Sequence, residues 1–186
     1  MISTIPPGWA ADVLHFWFEQ CTPEQWFKRD DAFDQALRQR FLPLHASVAA
    51  LANEACLTDA GTALAATIVL DQFSRNMFRG TPAAFAQDPK ALAIAQAAIA
   101  RGFDTTLPEN RRQFFYLPFE HSEDLADQEY CIALMSETGD ADLLKWAKLH
   151  ADIIRRFGRF PHRNQALGRA TTAEEQVFLD SGGFGG

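Results

Sequence analysis

Apolar residues in this chain recur at helical spacing almost from end to end. No stretch shows sustained period-2 alternation bounded by hairpin turns. That pattern restricts the fold to an all-α arrangement, because a helical stripe cannot present one face of a pleated strand. The spacing predicts a first helix over about Trp9–Gln20 after Pro6, Pro7 and Gly8, and a short turn of helix after Thr22-Pro23. A third helix capped at Asp30 or Asp31 carries Phe33, Leu37 and Phe41 on one stripe, and Pro43 is expected to kink or split it. Thr58 or Asp59 opens a helix to about Asn76. Asp88-Pro89 reads as N-cap and first residue of the next, which closes at Arg101-Gly102. A helix over about Pro108–Tyr116 ends at Pro118, Ser122 caps another to about Glu137, and Asp140 starts a long one closed by Gly158. Thr172 and Glu175 match a capping box.

The expected fold is therefore a single all-helical domain over residues 1–186, an antiparallel array of about eight or nine helices with short connections. Residues 1–8 form a lead-in, and the Gly-rich segment 181–186 is expected to be a flexible tail. A hydrophobic content of 47% supplies a core for a chain of 186 residues. The longest apolar run, Ala63 to Leu70, falls far short of the roughly 18 residues that cross a membrane. The N-terminus lacks the charged start and apolar core of a signal peptide, so a soluble, cytoplasmic protein is expected. A net charge of −7 argues against broad nucleic-acid binding. Cys21, Cys56 and Cys131 are isolated and odd in number, and read as small buried residues rather than a disulfide framework.

Function is sought where an apolar stripe turns polar without leaving its face. Leu64 and Ile68 are followed on one stripe by Asp71, Arg75 and Arg79, with Asn76 beside them. His121, Asp124 and Gln128 share a stripe, next to Ser122 and Glu123 at a helix start where carboxylates are favoured. Residues 153–173 contain no acid but hold Arg155, Arg156, Arg159, Arg163 and Arg169, with His162 and Asn164 among them. Arginine forks suit carboxylate and phosphate, so these residues are candidates for an anion site; the alternative is that they neutralise Asp71, Glu123 or Asp124 within the fold. His150 lies among Leu143, Trp146, Ile153, Ile154 and Phe157 and reads as a core histidine. The i, i+3 pairs Asp12/His15 and His121/Asp124 are weak as metal ligands, and no phosphate loop, zinc-protease or nucleophile-elbow motif is present. No metal or cofactor is implied.

Four strings carry a family resemblance: Val13-Leu-His-Phe-Trp-Phe18, Leu70-Asp-Gln-Phe-Ser-Arg-Asn-Met-Phe-Arg-Gly80, Phe115-Tyr-Leu-Pro-Phe-Glu-His-Ser-Glu-Asp-Leu125 and Arg156-Phe-Gly-Arg-Phe-Pro-His-Arg-Asn164. Together they resemble the DUF924 family, over about Val13 to Leu179. The resemblance implies a tetratricopeptide-like helical fold, here without the repeat consensus, and no known activity. His15 stands where the family pattern has an acid, and Ser74 where proline is frequent.

Three functions follow as expectations. In the first, a cleft lined by Asp71, Arg75, Asn76, Arg79, His121, Ser122, Glu123, Asp124, Gln128, Arg159, His162, Arg163 and Asn164 binds a small anionic molecule. Arg75, Arg79 and Arg163 hold it there, His121 or His162 transfers a proton, Glu123 or Asp124 orients that histidine, and Trp17, Phe73 and Tyr116 line the walls. In the second, the protein is a peptide-binding helical scaffold. In the third, the polar cluster is an ion-pair network that fixes helix packing. A deep pocket favours the first; an open groove long enough for a peptide favours the second.

Overall fold

In the computed structural model, which describes residues 5–184, the chain is helical, with no strand among those residues. Helix α1 (Trp9–His15) runs into a π turn (Phe16–Gln20), followed by α2 (Pro23–Phe27), α3 (Asp31–Ala50) and α4 (Ala60–Ile68). A second π turn (Val69–Phe73) joins α4 to α5 (Ser74–Met77). Then come α6 (Asp88–Ala100), α7 (Glu109–Glu120), α8 (Leu125–Glu137), α9 (Ala141–Phe157) and α10 (Ala173–Asp180). With α4 and α5 taken as one rod, the described residues form nine helices, as the sequence leads one to expect. The first four residues of the lead-in and the last two of the tail lie outside the described residues.

Short polar side chains set the helix starts, because the first N–H groups of a helix have no partner within it. Asp30 accepts from the N–H groups of Ala32 and Phe33, Asp59 from Thr62, and Asp140 from Asp142 and Leu143. The Thr172–Glu175 capping box forms as expected. The α9 C-terminus closes on Gly158 at φ 66°, a left-handed turn that a side chain would strain.

Four local expectations are corrected. Pro43 does not split α3: the buried stripe Leu37, Phe41, His45, Val48 continues across it, and packing on both sides outweighs the ~3 kcal/mol penalty of an internal proline. Pro118 likewise sits inside α7, in a run from Gln113 to Glu120 that is buried throughout. Asp88 is the first helical residue of α6 rather than its N-cap, which is Gln87. Asp124, not Ser122, caps α8, by accepting from the N–H of Ala126 at 2.7 Å.

By internal packing the chain divides into two compact units. One comprises Met1–Arg79 and Ala83–Pro118, the other Gly80–Pro82 and Phe119–Gly186. In the first, α4 packs against α1 and α6, and every residue from Ala63 to Ser74 is buried. Such a helix has no solvent face, which explains its long apolar run. The two π turns meet here: Phe73 packs 6.1 Å from Phe16 and 5.5 Å from Trp17 between ring centres, and Trp17 meets Phe114 at 5.8 Å. In the second unit α8 and α9 pack together as a hairpin, and Ile153, Ile154 and Phe160 form a core against Leu149, Phe157, Phe178 and Phe184. All three cysteines are buried and outside any disulfide among the described residues, and burial pushes the Cys21 thiol up to about 11. No described helix is long and apolar enough to cross a membrane.

Candidate functional site

The candidate residues divide between the two units, and in both most of the candidate arginines are held by carboxylates. In the first unit Asp71, on the second π turn, is 1% exposed. It accepts from the Gln72 side-chain amide at 2.5 Å and pairs with Arg75 at 2.8 Å. Arg75 also grips Asp88 with both terminal nitrogens, each at 3.0 Å. Burial alone would disfavour the Arg75 charge, but Asp71 and Asp88 outweigh it and hold the guanidinium protonated. One turn on, Asn76 donates to Asp34 at 2.7 Å, and Arg79 reaches the same carboxylate at 2.7 and 3.3 Å. Asp34 and Asp88 lie 13 to 45 residues from these partners in the chain.

Ser74 and His45 form a buried contact at 2.8 Å that superficially resembles a nucleophile and its base. Its direction is wrong for that chemistry. The Ser74 hydroxyl donates to the Leu70 carbonyl at 2.6 Å, so the imidazole must be the donor to Ser74. Burial lowers the His45 pKa, which keeps the ring neutral. Ser74 is fully buried, so no substrate reaches it. Trp17, Phe73 and Tyr116, expected on a cleft wall, are core residues at most 4% exposed.

In the second unit Glu123, Arg159, Asn164, Arg169 and Glu175 make one network. Glu123 accepts from both terminal nitrogens of Arg169 at 2.7 and 3.0 Å and from the backbone N–H of Phe160 at 2.8 Å. Burial opposes ionisation of Glu123, but these donors hold its carboxyl below the usual range. Arg159 forks onto Glu175 at 2.6 and 2.8 Å, and that hydrogen bond, with the Thr172 N–H and Asn164, brings Glu175 down to about 2. Asn164, with no exposed surface, links the two pairs: it donates to Glu175 at 3.3 Å and accepts from Arg169 at 3.0 Å.

The remaining candidates do local work. Gln128 donates to the carbonyls of Phe119, Glu120 and Ser122, which closes the C-terminal end of α7. The Ser122 hydroxyl donates to Asp127 at 2.6 Å. His121 is half-buried just past α7. Arg163 lies buried with its guanidinium 4.4 Å from the centre of the Phe160 ring, and His162 is half-buried beside Phe160 and Phe184. His150 is a core histidine as expected, 5% exposed, with Nδ1 2.9 Å from the Trp146 carbonyl and 3.4 Å from Glu120. His15 pairs with exposed Glu19 at 2.8 Å. No group of three or more metal-ligating side chains stands together among the described residues.

The open space in the second unit lies elsewhere. A groove of about 660 Å³ runs along α9 and is walled by Phe178 of α10 and by Gly182, Gly183 and Phe184 of the tail. Its α9 lining follows helical spacing from Ala141 through Leu144, Lys148, Leu149 and Ile153 to Phe157. Sixteen helical steps span about 24 Å. The wall is tight: a Cβ on Gly183 would stand 2.5 Å from the Phe178 carbonyl oxygen, so only glycine brings the tail this close. Phe184 then stacks edge-on to His150 at 4.4 Å. This groove is not among the sequence expectations. The available signal was that α9 carries apolar residues beyond its core stripe, at Leu144 and Leu149.

The sequence profile described as "bacterial protein of unknown function (DUF924)" matches residues 13–183. A solved structure, that of the protein of unknown function ATU0120 from Agrobacterium tumefaciens, is similar with a TM-score of 0.87 and 44% sequence identity. The likeness covers 92% of this chain and 97% of that one. Comparison with curated proteins returns no match.

Proposed function

We propose that this chain, which belongs to the DUF924 family, is a binding module whose α9 groove receives a segment of a partner protein. The observation that carries the reading is the shape of the groove. It is open along a whole 17-residue helix rather than closed around a small molecule. A length of about 24 Å suits four turns of a partner helix. The polar clusters then serve packing: Arg75, Arg79, Arg159 and Arg169 already hold carboxylates, as a structural network requires. The competing reading, a small anion bound by Arg75, Arg79 and Arg163, would have to displace Asp71, Asp88 and Asp34 from the first two. No reaction is assigned.

The test is titration of the isotope-labelled protein with an 18-residue amphipathic peptide bearing a Leu/Phe stripe. Backbone shifts should change along α9, at Phe178 and in the tail, with saturation in the micromolar range, and Leu149→Glu should abolish them. Absence of any change at millimolar peptide would reject the reading. Saturable changes around Arg75 on adding phosphate or small carboxylates would favour the anion site instead.

A further inference from the structure

We infer that the occupant of the groove is an amphipathic α-helix with acidic side chains along one edge of its apolar face. The inference rests on the groove being a binding site, and it specifies the partner. The first argument concerns backbone polarity. An extended strand binds by pairing its N–H and C=O groups with a free sheet edge. Here the long wall is α9, whose backbone groups are spent within the helix, and Phe178 lies on α10 opposite. With no ladder to pair with, an extended segment would leave its own backbone groups desolvated and unmatched. A helix satisfies its own backbone and offers side chains alone, which suits a floor of Leu144, Leu149, Ile153 and Phe157.

The second argument concerns charge. Lys145 and Lys148 lie on the groove lining three residues apart, exposed, and neither makes an ion pair or hydrogen bond among the described residues. The other charged groups at the groove are engaged. Arg156 bonds Glu174 at 2.9 Å, and Asp152 bonds Arg155 at 2.7 Å. Two uncompensated positive charges therefore flank an apolar floor in a chain of net charge −7. Helical residues three or four apart on a partner present acids at matching spacing. Beside the groove, Trp146 is 45% exposed, with its ring tilted against Phe184 at 6.3 Å and the Lys145 ammonium 5.9 Å from its centre, an aromatic surface of the kind enriched in binding energy at interfaces.

Three 18-residue peptides with one Leu/Phe stripe and either Glu, Gln or Lys at two flanking positions, i and i+3, would test this by fluorescence anisotropy against the full chain. The Glu peptide should bind about tenfold tighter than the Gln peptide at 50 mM salt, with the Lys peptide weakest, and the advantage should shrink at 300 mM salt. It should gain helical circular dichroism on binding. A Lys145→Ser/Lys148→Ser variant, altered only at exposed positions, should bind all three alike. Equal affinities in the wild type, or a Glu preference that survives in the double variant, would overturn the inference while leaving the groove as a binding site. Binding without helix gain would also overturn it. Failure of all three peptides at millimolar concentration would overturn both readings.

Discussion

Removal of the Glu123 carboxylate tests whether the second-unit network stabilises the fold. The carboxylate accepts three donors: two from Arg169 and the N–H of Phe160, a residue with no exposed surface. A hydrogen bond to a charged group contributes about 1.5–3 kcal/mol net, and a stranded buried N–H costs about 1–3 kcal/mol. The Glu123 and Arg169 side chains are 28% and 23% exposed, so water recovers part of the loss. Glu123→Ala should therefore destabilise by about 2–4 kcal/mol. Glu174→Ala is the control. Its partner Arg156 sits at nearly the same distance, but the side chains are 64% and 49% exposed, and the loss should stay within about 1 kcal/mol. Urea denaturation followed by far-ultraviolet circular dichroism reads both, with hydrogen exchange of α8 and α9 amides reporting the second unit. An effect of Glu123→Ala no larger than that of Glu174→Ala would refute the reasoning.

The same carboxylate predicts a pH dependence. Because the folded pKa of Glu123 is depressed, its contribution is complete above the unfolded value of about 4.3 and is lost as pH falls through the folded value. The stability difference between wild type and Glu123→Gln should be constant from pH 8 to about 5 and shrink below about 4. A difference unchanged down to pH 2 would show that the charge is not what matters.

Three further outcomes are expected. Glu175, held at about 2 by Arg159, should keep its contribution to lower pH than Glu123, so the Glu175→Gln difference in acid titration should persist until pH approaches 2. Gly183→Ala places a methyl carbon 2.5 Å from the Phe178 oxygen, so the tail must shift; His150 ring proton shifts, set by Phe184 at 4.4 Å, should move towards unstacked values. Asp59→Ala removes the acceptor of the Thr62 N–H at the start of α4, and the urea midpoint should fall by the equivalent of about 1 kcal/mol.

Helix ends were legible in the sequence wherever one side chain decides them locally, as at Asp59, Asp140, Thr172 with Glu175, and Gly158. The two internal prolines were not, because their tolerance depends on burial on both sides of them. Nor were the π turns at Phe16–Gln20 and Val69–Phe73. Each adds a residue to a turn, which no side-chain type marks. The sequence placed Asp71, Arg75 and Arg79 on one face of a regular helix. In the fold, Asp71 and Arg75 keep that face and pair at 2.8 Å, but on a rod with no solvent side at Asp71, and Arg79, beyond the end of α5 at Met77, meets Asp34 instead.

The acid-free segment 153–173 shows why the density of a residue type misleads as a guide to a site. Five arginines without an acid among them look like an anion receptor when the chain is read in one dimension. Folding brings acids from outside the segment onto four of them: flanking Asp152 to Arg155, Glu174 to Arg156 and Glu175 to Arg159, and distant Glu123 to Arg169. The fifth, Arg163, is buried over Phe160, and its charge also acts on Glu123. Charge segregated along the chain becomes charge paired in space, and pairing removes it from the reach of a ligand. What a partner can use is charge left over after folding. In the second unit that surplus includes Lys145 and Lys148 on α9, two lysines unremarkable in the sequence and placed by helical spacing beside an apolar groove.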